Sequence, residues 1–205
     1  GEWPAIKATL LLVPSTLTIV LPAAFFLAVA LFRTKGSRVA TLIPSATAGA
    51  VACAAALFIG VMFVVPPINQ SFRTFEFNTL QPPEPGVPPR VLSKGLAELT
   101  WTELNAQIRE PASSRQGELA RAHRQLRFAI AGSTFVMALL GLSVAGRWRS
   151  RTATIGASLV LLVLYGGCFV LASSLNRGGY PSASGAWTVN IAFAVVGLGL
   201  LRTRK

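Results

Sequence analysis

The sequence predicts an all-α integral membrane protein of about five transmembrane helices, with an outer, periplasmic loop that carries a short amphipathic helix. Three observations predict it. Of 205 residues, 52% are hydrophobic and only 13% charged, with a mean hydropathy of +0.57; soluble domains carry charge on roughly a quarter of their residues. The apolar residues fall into five runs, 8–32, 40–65, 127–146, 152–175 and 187–201, without an internal Asp, Glu or Lys. The basic residues gather at the ends of these runs in acid-free brackets.

A span takes about 20 mostly apolar residues, which the first four runs meet and the last only just. A soluble chain of this length buries one such helix, not five. The first run lacks a basic leader, so a signal peptide accounts for it poorly. Whether a further span precedes Gly1 is left open. Pro14, Pro22 and Pro44 lie within or at the start of runs, where each frees a carbonyl and predicts a kink. In "SATAGAVACAAALFIG" small residues recur at Ala48, Ala52, Ala56 and Gly60. That one-face stripe predicts a close helix–helix contact.

Orientation follows from the brackets. Arg33, Lys35 and Arg38 form the first, Arg147, Arg149 and Arg151 the second, and Arg202, Arg204 and Lys205 the tail. They fall on alternate loops and therefore on one face. Every Glu except Glu2 lies in 67–126, on the other face, and the chain has no Asp. The positive-inside bias makes the basic face and the C-terminus cytoplasmic. Residues 33–38 are first a topological anchor and second a candidate contact for headgroups or a cytoplasmic partner.

The chain divides into a two-span unit (1–66), a periplasmic connector (67–126) and a three-span unit (127–205). Around "PPEPGVPPR" the connector reads as extended. "TWTE" at 100–103 then reads as a capping box, with Thr100 as the N-cap and Glu103 reaching back. Trp101, Leu104 and Ile108 share the apolar face of the helix that follows, Pro111 ends it, and the piece suits the outer membrane–water interface. The next segment runs without a breaker into the third span. Arg121, Arg124 and Arg127 recur there at three-residue spacing, placed to snorkel to lipid phosphates or to anchor the helix.

A net charge of +12 suggests nucleic acid in a soluble protein, but these charges flank apolar runs and no aromatic-interleaved polar surface exists to read bases. Nor does catalysis find support. His123 is the sole histidine, with no Asp to orient it, and reads as a solvated interfacial residue. Cys53 and Cys168 lie in different spans without ligand spacing and read as packing residues. No glycine-rich phosphate loop follows a strand pattern. No catalytic residue, cofactor or metal is expected.

Five segments, in order, resemble the LptF/LptG (YjgP/YjgQ) permeases of the bacterial lipopolysaccharide exporter. They are "VPSTLTIVLPAAFFLAVALF", "VVPPINQSF", "LTWTELNAQIRE", "ELARAHRQLRFAIAGSTFVMALLGLSVAGR" and "YPSASGAWTVNIAFAVVGLGLLR", the last with its Trp and Asn near the start of the span. The likeness covers most of the chain except 74–95. It implies six spans, a periplasmic jellyroll between the third and fourth, a homologous permease partner and two ATPase subunits in the bacterial inner membrane. The chain departs from that pattern as a compact form. It lacks the first span, its outer loop leaves no room for a jellyroll, and "RTKGSRVATLIP" has no acid and no room for the coupling helix that seats in the ATPase.

Two functions follow as expectations. One is an LptF/LptG-like lipid-export permease subunit without direct ATPase coupling. The other is a structural accessory subunit of a larger bacterial membrane complex. Membrane lipids and other membrane subunits are the expected partners, nucleic acid is not, and association with an ABC ATPase stays open. The sequence names neither the lipid nor the stoichiometry.

Overall fold

The computed structural model describes residues 3–31, 39–81, 92–109, 115–148, 150–177 and 185–202, with the side chains of 3–15, 39–40, 175–177 and 186 left aside. Arg33, Lys35, Arg38, Arg149, Pro111 and the Pro-rich 82–91 lie outside the described residues. Among the described residues there are seven α-helices: α1 Trp3–Leu31, α2 Val39–Ile59, α3 Val65–Leu80, α4 Trp101–Ile108, α5 Arg115–Arg147, α6 Arg151–Arg177 and α7 Gly185–Arg202. A π turn, Gly60–Val64, joins α2 to α3, and a 3-10 turn, Leu96–Glu98, precedes α4. Among the described residues there is no strand.

Among the described residues, three helical stretches are long and apolar enough to cross a membrane: Thr41–Leu80, Arg115–Arg147 and Arg151–Ser174. Thr16–Leu31 and Trp187–Arg202 are shorter apolar helices. The chain is therefore an all-α membrane protein. Its apolar surface fits that solvent, since Val163, Leu171, Ile191 and Val195 are all exposed, where water would penalise them.

The helix registers give the topology. On α2, Ala46 packs with Leu142 while Phe58 meets Phe128, so α2 runs antiparallel to α5. On α7, Trp187 lies over Gly132 and Gly197 over Leu139, so α7 runs parallel to α5. Phe26 and Ala30 near the end of α1 pack with Leu140 and Val144 near the end of α5, which makes these two parallel as well. Helix α6 descends against them, with Phe169 beside Leu126. The ends of α1, α5 and α7 and the starts of α2 and α6 thus share one end of the bundle. Helix α5 is the axis: 72% of its most apolar window is buried, against 11% for α6.

Helix α1 runs unbroken across Pro14 and Pro22, and α2 contains Pro44. The helix of the second run does not stop at 65 either. It widens into the π turn, where the Val65 N–H bonds Gly60 O, and continues to Leu80 with Pro66 and Pro67 in the first turn of α3. Two adjacent prolines would drive their rings into the carbonyls four residues back. One π turn moves those carbonyls aside, so the helix is preserved.

The small-residue stripe points the wrong way for packing within the chain. Ala48, Ala52 and Ala56 are exposed, and a Cβ on Gly60 would touch nothing within 4 Å. The face against α5 instead carries buried Ala46, Ala50 and Leu57, and Gly49 sits under the Phe25 ring. An Ala-rich helix has small residues on several rows at four-residue spacing. Periodicity finds such rows but does not choose among them.

Candidate functional site

Two helices overrun the apolar band at the end opposite the basic brackets. At about 1.5 Å per residue, the 33 residues of α5 reach roughly 50 Å, well beyond a hydrocarbon core of about 30 Å. The overhangs of α3 and α5 are bridged there by residues 92–109, which pack on both. The result is a polar cap over one mouth of the bundle.

Glu98 is the centre of the cap and is buried. Its Oε2 accepts the Gly95 N–H at 2.9 Å, closing the 3-10 turn. Its Oε1 lies 2.9 Å from Arg73 Nε of α3, an ion pair in which the N–H is not aimed along a hydrogen-bond direction. Arg73 also donates from Nη2 to the Ser93 carbonyl. One arginine thereby ties the overhang of α3 to the cap.

Helix α4 forms where the sequence places it, and its capping box is present. Glu103 Oε2 accepts the Thr100 N–H and the Thr100 hydroxyl, each at 2.8 Å. Lys94 pairs with Oε1 at 2.5 Å from outside. Lys94 first, then the Thr100 donors, hold the Glu103 carboxyl down to about 2. A lowered carboxyl value makes this contribution complete above the ordinary carboxylate range and lost as pH falls through about 2, so the box stays charged at physiological pH. Beneath it, Leu99, Leu104 and Ala120 close a small core with Leu96 and Ile108. Trp101 sets its edge on Phe128 at 5.9 Å.

Arg127 does not snorkel to lipid phosphates. It is 2% exposed, and its Nη2 donates to Leu99 O at 2.8 Å and more distantly to Leu96 O at 3.3 Å and Ala97 O at 3.5 Å. The carbonyls leaving the 3-10 turn converge on this one nitrogen, while Nη1 is buried without a hydrogen-bond partner. Arg124 is half-buried and donates to Asn105 Oδ1 of α4 at 3.2 Å. Arg121 is half-buried on α5, while Arg147 and Arg151 are exposed at the far end of the bundle. The three arginines at three-residue spacing thus divide. Two hold the cap, and the nearest signal in the sequence was the polar segment 92–109, with carbonyls needing donors.

Inside the apolar band a second polar system fixes the last three helices. Asn190 is buried and donates from Nδ2 to Ala129 O at 2.9 Å, while its Oδ1 accepts from Tyr165 OH at 2.5 Å. Trp187 Nε1 donates to Gln125 Oε1 at 3.2 Å. Ser143 Oγ lies 2.8 Å from Gly197 O. In hydrocarbon these bonds substitute for water that is absent, and each ties two helices together. Sequence reasoning gave Tyr165 no role, and it met Asn190 only as part of a family-like segment. The available signal was a lone amide in an otherwise apolar run.

These features define a multi-pass helical subunit whose described polar groups hold helices together and form no nucleophile–base pair. No curated protein and no solved structure matches the chain. The profile of the lipopolysaccharide export system permease LptF/LptG family matches residues 81–203. The chain belongs to that family, which makes it a permease-type membrane subunit of the inner membrane. Members of the family are transport subunits and work within multi-subunit export complexes. The match takes in the cap, α4 and the three helices pinned by Asn190.

Proposed function

We propose that this chain is a compact lipid-export permease subunit that is not itself seated on an ATPase. Family membership supports lipid export of the lipopolysaccharide type. The observation that carries the second part is the connection between α1 and α2. Helix α1 ends at Leu31 and α2 begins at Val39, so residues 32–38 alone join them, with three basic residues and no acid. A subunit driven by an ATPase needs a contact that differs between ATPase states, and this stretch is shorter than a helix that would supply it. Extraction in mild detergent should yield the chain with other membrane subunits and without an ATPase. Joint replacement of Arg33, Lys35 and Arg38 should disturb orientation or lipid retention and leave ATP-driven lipid export unchanged. Recovery of a stoichiometric ATPase whose turnover falls on that replacement would refute the reading.

The same short connection favours a second reading, that of an accessory subunit in a larger assembly. Lipid transfer that survives in reconstituted vesicles containing this chain and its co-purified partners, and fails without the chain, decides for transport.

In both readings the basic end faces the cytoplasm. The direction of positive charge supports this, and Arg147 and Arg151 lie there beside anionic headgroups, each contributing about 1 kcal/mol. Arg121 is the candidate headgroup contact on the opposite side. Arg151→Cys should resist a membrane-impermeant thiol reagent added outside sealed cells, while Thr79→Cys should react. Strong labelling at 151 with none at 79 would invert the topology.

A further inference from the structure

We infer that the groove along α5 between α2 and α7 binds one bilayer phospholipid, with its phosphate on Arg121 and Arg124 and one acyl chain along Phe135. Helix α5 is the most buried of the three spanning stretches, yet Phe135 near its middle is 47% exposed. The packing around it gives the reason. Helix α2 reaches α5 through Ala50, whose carbonyl meets the Thr134 hydroxyl, and α7 reaches it through Asn190, which bonds Ala129 O. The Phe25 ring against Gly49 puts α1 on one side of α2. Phe193 against Tyr165 likewise puts α6 on one side of α7. Positions two apart lie on nearly opposite sides of a helix, so Val51 and Ile191 face the other way, towards the gap. Both are exposed, at 54% and 61%, and Phe135 is the floor between them.

The chemistry changes along this floor. Arg121, Arg124, Phe128, Phe135 and Leu139 share one face of α5 by their spacing. The two guanidiniums stand at the cap end, and Arg124 is held there by the bond from its Nη1 to Asn105. Phe135 lies roughly 16 Å further in at about 1.5 Å per residue, close to the depth of one leaflet in a hydrocarbon core of about 30 Å. There the groove closes. The Gly197 backbone packs closely over Leu139, and Leu142 is buried with Ala46. A helix of another subunit needs an open face across the whole core. A groove that starts at two cations and ends at mid-membrane fits a phosphate followed by a hydrocarbon chain, and a guanidinium pairs with phosphate oxygens two at a time. The site extends the headgroup assignment of Arg121 and depends on neither the transport nor the accessory reading.

The test uses the full chain in detergent micelles, with dioleoyl phosphatidylglycerol or dioleoylglycerol added and bound lipid read by native mass spectrometry. One phosphatidylglycerol should bind per chain, and the glyceride, with the same acyl chains and no phosphate, should bind at least roughly tenfold more weakly. Arg121→Gln with Arg124→Gln removes both charges and keeps an amide on each side chain; it should weaken phosphatidylglycerol binding by a similar factor. Val51→Trp fills the groove from an exposed wall and leaves the core untouched, and it should weaken binding as much. Val163→Trp, on the exposed face of α6, should bind as the unaltered chain does. A benzophenone side chain at position 135 should crosslink to lipid in membranes. Equal binding of the two lipids, full retention by either groove variant, a comparable loss in Val163→Trp, or crosslinking from position 135 to a protein subunit in place of lipid overturns the inference.

Discussion

Replacing Arg127 with Met should detach the outer cap from the bundle. Met keeps the apolar stem of the side chain, ends short of the guanidinium, and removes every donor. The carbonyls of Leu96, Ala97 and Leu99, which now share Arg127 Nη2, would then lie beside an apolar group. A hydrogen bond to a charged group contributes about 1.5–3 kcal/mol, and a buried acceptor left unpaired costs a similar amount. A loss on the order of 3 kcal/mol in cap docking raises the undocked fraction roughly a hundredfold. Lys94 and Arg109 flank α4, so tryptic cleavage after them reads that fraction directly, in detergent, before the spans unfold. Arg127→Lys should fall between, since the ammonium keeps the charge and three donors but ends one bond short of the Nη2 position. Cleavage rates equal to those of the unaltered chain would mean that Leu99, Leu104 and Ala120 hold the cap unaided.

The second large effect is expected at Gly141, near the end of α5. A Cβ there would lie 2.9 Å from Val29 Cβ and 3.0 Å from the Phe26 carbonyl oxygen. One neighbour is a branched side chain at its root and the other is backbone, so neither yields by changing rotamer. Gly141→Ala should therefore lower thermal stability in detergent, with overpacking costing about 1–3 kcal/mol, and Gly141→Leu should displace α1 outright. Ala52→Leu is the contrasting case. Ala52 is exposed, so the added bulk meets lipid and the chain's own stability should hold. A melting series in which Ala52→Leu is the most damaging of the three would put the stripe back in the core and contradict the register described above.

That contrast shows where sequence reading stopped. Ala48, Ala52, Ala56 and Gly60 were visible as a row because spacing is a property of one helix. Gly141 was not, because its need for a missing side chain arises from α1, more than a hundred residues earlier. The same division separates the arginines. Spacing placed Arg121, Arg124 and Arg127 near an interface. The burial of Arg127 depends on where the carbonyls of residues 96–99 come to rest, and helical periodicity holds no record of them.

The sequence by itself determined the solvent, the fold class, the family and the outline of α4. Apolar length and charge placement set the first two through the cost of leaving polar groups in hydrocarbon, and Thr100 and Glu103 are close enough in the chain for a capping box to be read directly. The tertiary structure alone decided that the helix of the second run turns a π corner at Gly60–Val64 and continues to Leu80, that Arg73 and Glu98 join α3 to the cap, and that Tyr165, Asn190 and Ala129 lock α5, α6 and α7 together. The physical reason is range. Solvent preference and capping act within a few residues of the chain, whereas ion pairs, close backbone approaches and buried amides join residues that only folding brings together.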